Sequence, residues 1–326
     1  DTIAEDEDEE EEAAAAFEAA PPPVAPPPEA AAAPPSARAL KEAKIMDQFD
    51  QATAAADASR AAGARGRGAG SDPRLKKILY DEASASLFEL DLTAQLGSIV
   101  REDWATSASL LKRLVPALRP KLKNANLRAQ RDRVMALAKV PMDGSELHER
   151  MLFSIYRALT QEPTCPARFG PHWEVIGFQG DDPATDLRGA GILSLLQVLH
   201  FAARRGPLLK EIYQLSRGPN DFPLMTVSIN ITQLTLQALR SGALHSHANR
   251  ARQGLYEVVH SFYEGLFLYM FTAWKSRHLS IVNFGHLKNE IAAVSRKKPA
   301  ALLKKLDDYG KVVVAGGQNG SFVDLG

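Results

Sequence analysis

The sequence of 326 residues contains a single cysteine, Cys165. A lone cysteine excludes an internal disulfide and a zinc site built from paired cysteines, and it fits a reducing compartment. Because Cys165 stands between Thr164 and Pro166, outside any signature of a nucleophile, we interpret it as an ordinary thiol in a loop.

Long apolar runs are also absent. The most apolar stretch, residues 266–274, is far shorter than the roughly 20 residues that a membrane-spanning helix needs, so we predict no transmembrane segment. The sequence begins with Asp1 rather than Met, and we therefore expect the natural N-terminus, with any targeting signal, to lie further upstream.

The common catalytic motifs are missing. The sequence has no G-x-x-x-x-G-K-[ST] phosphate loop, no G-x-S-x-G elbow and no H-E-x-x-H zinc motif. His245 and His247 form an H-x-H pair, but no third ligand stands nearby, and such a pair in a polar loop is typically exposed surface. His200 and His260 lie in apolar segments, where a hydrogen-bonded structural histidine is the ordinary case. We expect no bound metal and no cofactor of the chain's own.

Basic residues are absent from residues 1–35, which contain eleven carboxylates. Of the 39 acidic residues in the chain, 28 therefore remain in the body, against 39 basic ones. A basic body could bind nucleic acid, phospholipid or an acidic protein surface, with the acidic segment competing for the same face. Since no nucleic-acid-binding motif accompanies the charge, we expect no nucleic-acid partner.

Residues 1–71 are predicted to form an acidic, Pro/Ala-rich tail and linker. Residues 1–35 have too little apolar surface to offset their ordering entropy, so we expect them to be disordered or extended. Residues 37–62 have a weak amphipathic pattern, which is typical of a transient helix in a linker or of a short docking helix. Residues 63–71 indicate a flexible connection.

Helical periodicity begins after Asp72 and Pro73, which resemble an N-cap and a first-turn proline. It predicts helices over residues 75–90, 104–115, 125–138 and 145–159, the last capped by Ser145. Further helices are predicted over 207–215, from a cap at Asp221 to Gly242, and over 255–274, 282–294 and 300–309.

The helix over 255–274 is the most aromatic, so we expect it at the centre of the core. No period of 20–50 residues repeats, which disfavours a solenoid. The pattern therefore predicts a single all-α domain over residues 72–310. Residues 311–326 follow as a C-terminal tail, whose β-prone sequence is too short to form a sheet.

The segment 173–201, WEVIGFQGDDPATDLRGAGILSLLQVLHF, concentrates unusual residues where a loop meets an apolar helix. We expect Pro183 to rigidify the turn and Thr185 or Asp186 to accept the first free amides of a helix that starts near residue 187. Arg188 would then lie in the first helical turn, and Gly189 and Gly191 would expose the backbone to a partner.

Arg188 has two interpretations on chemical grounds. A guanidinium beside free helix amides suits a phosphate that gains charge during transfer, as an arginine supplied to a GTPase in trans does. Alternatively, Arg188 pairs with Asp181, Asp182 or Asp186 and braces the loop, which is what arginines near aspartates usually do. The residues alone favour the brace.

This segment resembles the ELMO (engulfment and cell motility) domain family, specifically its ELMOD branch. The family pattern W-x3-G-F-Q-x3-P-x-T-D-[FL]-R-G-x-G-x3-L-x2-L is matched, with only its last spacing shifted, by Trp173, Gly177, Phe178, Gln179, Pro183, Thr185, Asp186, Leu187, Arg188, Gly189, Gly191, Leu195 and Leu199. Weaker similarity follows over 228–244, 258–271 and 282–291. The resemblance covers roughly residues 145–295.

The resemblance implies an activity and a site. ELMOD proteins are GTPase-activating proteins for Arf-family and Arf-like GTPases, and Arg188 matches the arginine that their activity requires. This reverses the preference for a brace and makes Arg188 the candidate catalytic residue. Asp186, Gly189 and Gly191 would shape its loop, and Trp173, Phe178 and Gln179 would buttress it.

Two functions follow from the resemblance. In the first, the protein activates an Arf-family or Arf-like GTPase, which itself binds the GTP and Mg²⁺. In the second, the domain is a non-catalytic scaffold module held by its N-terminal tail in a large cytoskeletal or ciliary (axonemal) assembly. Both place the protein in the cytoplasm, and the second at the cytoskeleton or in a cilium.

Overall fold

The computed structural model describes residues 76–107, 109–162 and 166–316, with side chains up to residue 312. These residues form α-helices and short 3-10 turns, without a β-strand among them, so the predicted all-α fold is confirmed. The expectations for residues 1–75, for Cys165 and for the last ten residues lie outside the described part of the chain.

Twelve α-helices run through the described residues. They are α1 (Tyr80–Phe88), α2 (Thr93–Ser98), α3 (Leu110–Leu114), α4 (Ala125–Leu137), α5 (Glu146–Thr160), α6 (Pro183–Asp186), α7 (Leu193–Ser216), α8 (Leu224–Arg240), α9 (His245–Arg250), α10 (Leu255–Ser276), α11 (Phe284–Lys297) and α12 (Pro299–Gly316). Short 3-10 turns lie between several of them, over Trp104–Thr106, Pro116–Leu118, Pro171–Ile176, Leu187–Gly189 and Ile281–Asn283.

The core is built around α7 and α10. Helix α10 packs against α4, α7, α8, α11 and α12, and α7 packs against α1, α5 and α8. The aromatic side chains Phe262, Tyr263, Phe267 and Trp274 of α10 are all at most 1% exposed. The expectation that this helix lies at the centre is therefore confirmed, because its aromatic residues fill the space between several neighbours.

A kink divides α7. Arg205 has the non-helical dihedrals φ −140° and ψ 45°, and Pro207 follows two residues later without an amide hydrogen to donate. The Arg205 Nε lies 2.9 Å from a carboxylate oxygen of the buried Glu264 on α10. The sequence predicted a separate helix over 207–215, whereas the structure has one bent helix fixed at its bend by this ion pair.

Two predicted N-terminal helices are wrong in extent. The first begins at Tyr80, because the preceding backbone is extended and the Ile78 amide donates to the Ser154 hydroxyl on α5 at 2.9 Å. The predicted helix over 104–115 is a 3-10 turn followed by α3. Asp103 and Ser109 each accept an amide hydrogen at the start of one piece, which separates the two.

Three later helix ends also differ from the prediction. Asp221 is not an N-cap, because α8 begins only after Pro223, and a proline restricts the residue before it to extended backbone. Ser145 occupies the N-cap position of α5 without a side-chain capping bond. Helix α12 passes Gly310 and continues to Gly316, while Leu302 and Leu306 lie buried in its first half.

Candidate functional site

Arg188 lies in the short 3-10 turn between α6 and α7, and not in the first turn of α7 as predicted. Its neighbour Leu187 is 1% exposed and Ala190 is fully buried, so buried side chains hold the turn on both sides. Arg188 itself is half-buried. The backbone at Arg188 is therefore fixed to the core, and the residue keeps partial exposure to solvent although the Nε of its guanidinium is buried.

The capping residues around the turn differ from the prediction. Asp182 caps α6, since its carboxylate accepts the Ala184 amide at 2.9 Å, and the Thr185 hydroxyl donates to the Asp182 carbonyl at 2.7 Å. The Asp186 carboxylate accepts the Gln179 amide at 2.5 Å. Thr185 and Asp186 therefore do not cap the following helix, and Asp186 instead fastens the preceding loop to the Arg188 turn.

Pro183 is buried at the first position of α6. A proline suits that position because its fixed φ matches the helix and its missing amide hydrogen would have had no partner there. The predicted rigid turn thus has a specific place, directly between the Asp182 cap and the Arg188 turn.

Gly177 fastens the loop to α8. It has φ +89°, and a β-carbon at this position would lie 2.2 Å from the Leu224 amide nitrogen. The Gly177 carbonyl accepts two hydrogen bonds of 3.0 Å, from the amide and the hydroxyl of Thr226. Only glycine combines this dihedral with so close an approach of two backbones.

Gly191 does not open the backbone to a partner, and the prediction is wrong for this residue. Gly191 has φ +55° and is buried, and a β-carbon there would lie 2.6 Å from the Val140 carbonyl oxygen. The same carbonyl accepts the Ile192 amide at 2.9 Å. A β-carbon on Gly189 would meet the Gln233 side chain of α8 at 2.1 Å. Gly191 thus allows close packing within the domain, whereas Gly189 is half-exposed and its exposure to a partner stays a prediction.

Trp173 and Phe178 form an aromatic support behind the loop. Trp173 is fully buried, and its indole Nε1 donates to the Arg168 carbonyl at 3.0 Å. Its ring centroid lies 5.4 Å from that of Tyr156 and 6.3 Å from that of Phe178, both nearly perpendicular to it. Gln179 has an exposed side chain and contributes its backbone amide to the arrangement.

The charged partner of Asp182 is Arg168, which the sequence analysis did not identify. The Arg168 Nη1 lies 2.8 Å from an Asp182 carboxylate oxygen, and its Nε lies 3.8 Å from Glu149 on α5. Arg168 is buried and its guanidinium lies over the Phe169 ring at 4.6 Å. No local pattern around Arg168 distinguishes it from a surface arginine, because its partners come from two other elements.

Asp186 and Arg188 influence each other electrostatically. Burial raises the pKa of Asp186, while the hydrogen bond from the Gln179 amide and the positive charge of Arg188 lower it, and the net pKa lies above its ordinary value. Three aspartates were candidate partners of Arg188. Asp182 instead pairs with Arg168, and the charge of Arg188 acts on Asp186.

An open groove of about 310 Å³ adjoins the site. The Gly177–Gln179 loop forms one part of its lining, and residues 221–224 with Arg217 form another. Gln179 lines the groove and also bonds to Asp186, so the groove and the Arg188 turn belong to one continuous surface. This surface is the candidate partner-binding site.

His245, His200 and His260 all lie in the interior of the domain. His245 is fully buried, and its Nδ1 donates to the Pro120 carbonyl at 2.8 Å, so the expectation that it lies at the surface is wrong. His200 and His260 are buried, and His200 bonds to Glu264 at 2.6 Å as expected, whereas the buried His260 Nδ1 has no hydrogen-bond partner among the described residues. Within the described ranges, three potential metal ligands nowhere come together. The helices described also include none that combines the length and apolar character needed to cross a bilayer.

Part of the chain is similar to known proteins. Residues 132–288 match the model of the ELMO/CED-12 family. The chain is 41% identical to mouse ELMO domain-containing protein 3 over 194 residues, which is 58% of this chain and 50% of that protein. It is 40% identical to the human protein of the same name over equal shares, and 34% identical to bovine ELMO domain-containing protein 2 over 134 residues, 40% of this chain and 46% of that protein. The chain thus spans about half the length of these relatives. No solved structure gives a significant match.

Proposed function

Because residues 132–288 form an ELMO/CED-12 domain of the ELMOD type, we propose that this protein activates a small GTPase of the Arf or Arf-like family and that Arg188 is the residue it supplies. The observation that carries the proposal is the mounting of Arg188 in a turn held by buried residues on both sides, with its side chain only half-buried. The domain would bind the GTP-loaded GTPase through the surface around this turn.

The turn that holds Arg188 suits a side chain that acts on another protein's nucleotide. The Gln179–Asp186 bond, the Asp182 cap and the close approach of Gly191 to Val140 fix the backbone on every side of Arg188. The backbone then has little conformational freedom left to lose when the guanidinium meets a phosphate, and such preorganisation favours electrostatic stabilisation.

The chemistry would follow from the charge of the guanidinium. During hydrolysis negative charge develops on the oxygens between the β- and γ-phosphates, and an arginine placed there stabilises the transition state. The GTP and the Mg²⁺ belong to the GTPase in this proposal. Asp186 would orient Arg188 before the partner arrives.

A second function is favoured by one observation. Because the charge of Arg188 already acts on Asp186, the arginine could brace its own loop. The domain would then be a non-catalytic binding module of a larger assembly, at the cytoskeleton or in a cilium, with residues 1–71 as its attachment. This second proposal predicts binding without faster hydrolysis.

Single-turnover GTP hydrolysis separates the two. Arf and Arf-like GTPases loaded with GTP are mixed with excess protein, and the rate of phosphate release is measured with and without it. An activator that supplies an arginine accelerates hydrolysis by on the order of 10³–10⁵-fold, and the rate should fall to the unassisted value with Arg188→Ala. Arg252→Ala, an exposed arginine between α9 and α10, is the matched control. Binding across the panel without acceleration would favour the scaffold.

A further inference from the structure

Exposed apolar side chains collect on one segment away from the Arg188 turn. Between residues 110 and 118, five large apolar side chains have exposed fractions from 41% to 75%: Leu110, Leu111, Leu114, Val115 and Leu118. Scattered exposed leucines are normal on a protein surface, but a contiguous group of this kind marks a contact surface.

This segment is fastened at both ends and is not a frayed loop. On its N-terminal side the Asp103 amide donates to the Arg240 carbonyl at 2.8 Å. On its C-terminal side the buried His245 donates to the Pro120 carbonyl at 2.8 Å. Between them, Arg119 donates to the carbonyls of residues 112 and 113. The apolar side chains are therefore presented outward by an ordered projection.

Basic side chains accompany the apolar ones. With 100° between successive residues, α3 places Leu110 and Leu114 on one face, Lys112 on the opposite face and Arg113 at the edge beside Leu110. The sequence from residue 104 to residue 131 contains no Asp or Glu. An ordered segment with exposed leucines, flanking basic residues and no acidic residue is typical of an interfacial membrane contact.

A cationic pocket lies against the same segment. It has a volume of about 250 Å³, and its lining residues include Lys112 from α3, Arg296 and Lys297 from the end of α11, and Ser107 and Ser109. Within the described part of the chain, none of these three basic side chains forms an ion pair with a carboxylate. Three basic residues that line one opening suit an anionic phosphate group.

The helix dipole gives Arg296 and Lys297 a more ordinary role, because basic residues at a helix C-terminus interact favourably with it. The dipole does not account for Lys112, which comes from another element and lines the same pocket, nor for the apolar side chains beside it. A partner that satisfies both features has anionic headgroups next to an apolar layer, as an anionic phospholipid membrane does.

We propose that residues 109–118, with Arg296 and Lys297, form a membrane-contact surface. Leu110, Leu111 and Leu114 enter the boundary between headgroups and acyl chains, and the Lys112 pocket takes the phosphate of an anionic phospholipid. The proposal is independent of the GTPase activity, which is assayed in solution without lipid.

Vesicle co-sedimentation of the full chain tests this surface. Vesicles of phosphatidylcholine alone are compared with vesicles that also contain phosphatidylserine or a phosphoinositide, at low and at high salt. The variant Lys112→Glu with Lys297→Glu is matched in charge by the control Lys210→Glu with Lys304→Glu. The variant Leu110→Ser with Leu114→Ser is compared with Val282→Ser, an exposed apolar residue in the 3-10 turn before α11, at the opposite end of that helix from Arg296.

We expect binding to the anionic vesicles that weakens with salt. Each basic residue near an anionic membrane contributes roughly fivefold in affinity, so the double charge reversal should weaken binding by at least about 25-fold. The double serine variant should also reduce binding, and both controls should bind like the wild type. Binding that is absent, or equally weakened by variants and controls, would overturn the proposal. A dimer that the serine variant dissociates would assign the surface to a second copy and would overturn it as well.

Discussion

Gly177 and Leu224 approach so closely that a β-carbon on the glycine would lie 2.2 Å from the leucine amide nitrogen. This contact joins the signature loop to the start of α8. It explains why the loop needs glycine at that place, both for its positive φ and for the missing side chain.

We expect Gly177→Ala to lower the free energy of unfolding by roughly 2–4 kcal/mol, because strained backbone and overpacking add. Urea unfolding followed by circular dichroism measures the change. Gly180→Ala is the matched control, since Gly180 has φ +84° but open space around it, and it should cost only about 1 kcal/mol. Equal losses for the two variants would contradict the close-contact explanation.

Asp182 and Arg168 give a second prediction. Removing the carboxylate with Asp182→Ala leaves the buried Arg168 with Glu149, at 3.8 Å, as its one remaining carboxylate among the described residues, and it also removes the cap of α6. We expect a loss of about 3–5 kcal/mol, as for other buried ion pairs that lose one partner. Thermal unfolding measures it. The neighbouring Asp181 is exposed, and Asp181→Ala should change stability by less than about 0.5 kcal/mol.

Local patterns predicted the helices that lie inside the core better than the site. Helix α4 and the start of α10 were found because their apolar residues recur with helical spacing. Pro207 marked an interruption near the bend in α7, but the sequence could not show that one helix continues through it, because Arg205 is held there by Glu264, which is distant in sequence. Tertiary contacts override local preference at such positions.

The site shows the same limit. The motif includes the turn that carries Arg188, but three aspartates stand within six residues of one another, and the sequence could not assign their roles. In the structure Asp182 forms an ion pair with Arg168, and Asp186 accepts the Gln179 amide. These contacts distinguish the two aspartates. The need for glycine at Gly191 comes from the Val140 carbonyl, which belongs to a loop far earlier in the chain.

His200 and His260 provide a pH-dependent prediction. Their rings stack at 4.3 Å. Burial lowers the pKa of His200, but Glu257 and Glu264 outweigh it, so the net pKa lies above the ordinary 6.5. Burial and then the charge of His200 hold the pKa of His260 well below 6.5. In an NMR titration we expect the imidazole signal of His200 to have its midpoint above pH 6.5 and that of His260 to have its midpoint below pH 6.5.

The two shifts act on stability in opposite directions. The contribution of protonated His200 is fully present below pH 6.5 and is lost as pH rises through its folded pKa. The contribution of neutral His260 is present above pH 6.5 and is lost as pH falls below it. The stabilisation lost in His200→Gln should therefore shrink as pH rises above 6.5. Two histidines that titrate together near 6.5 would contradict this arrangement.

The central claim is that the Arg188 side chain acts on a partner's nucleotide, and the most direct measurement pairs two quantities for Arg188→Ala. One is the single-turnover rate of GTP hydrolysis by a responsive Arf-family GTPase, and the other is the free energy of unfolding of the variant alone. We predict that the rate falls on the order of 10³-fold or more while the free energy of unfolding changes by less than about 0.5 kcal/mol. An unchanged rate together with a clear loss of stability would show that Arg188 braces its own loop and would contradict the account.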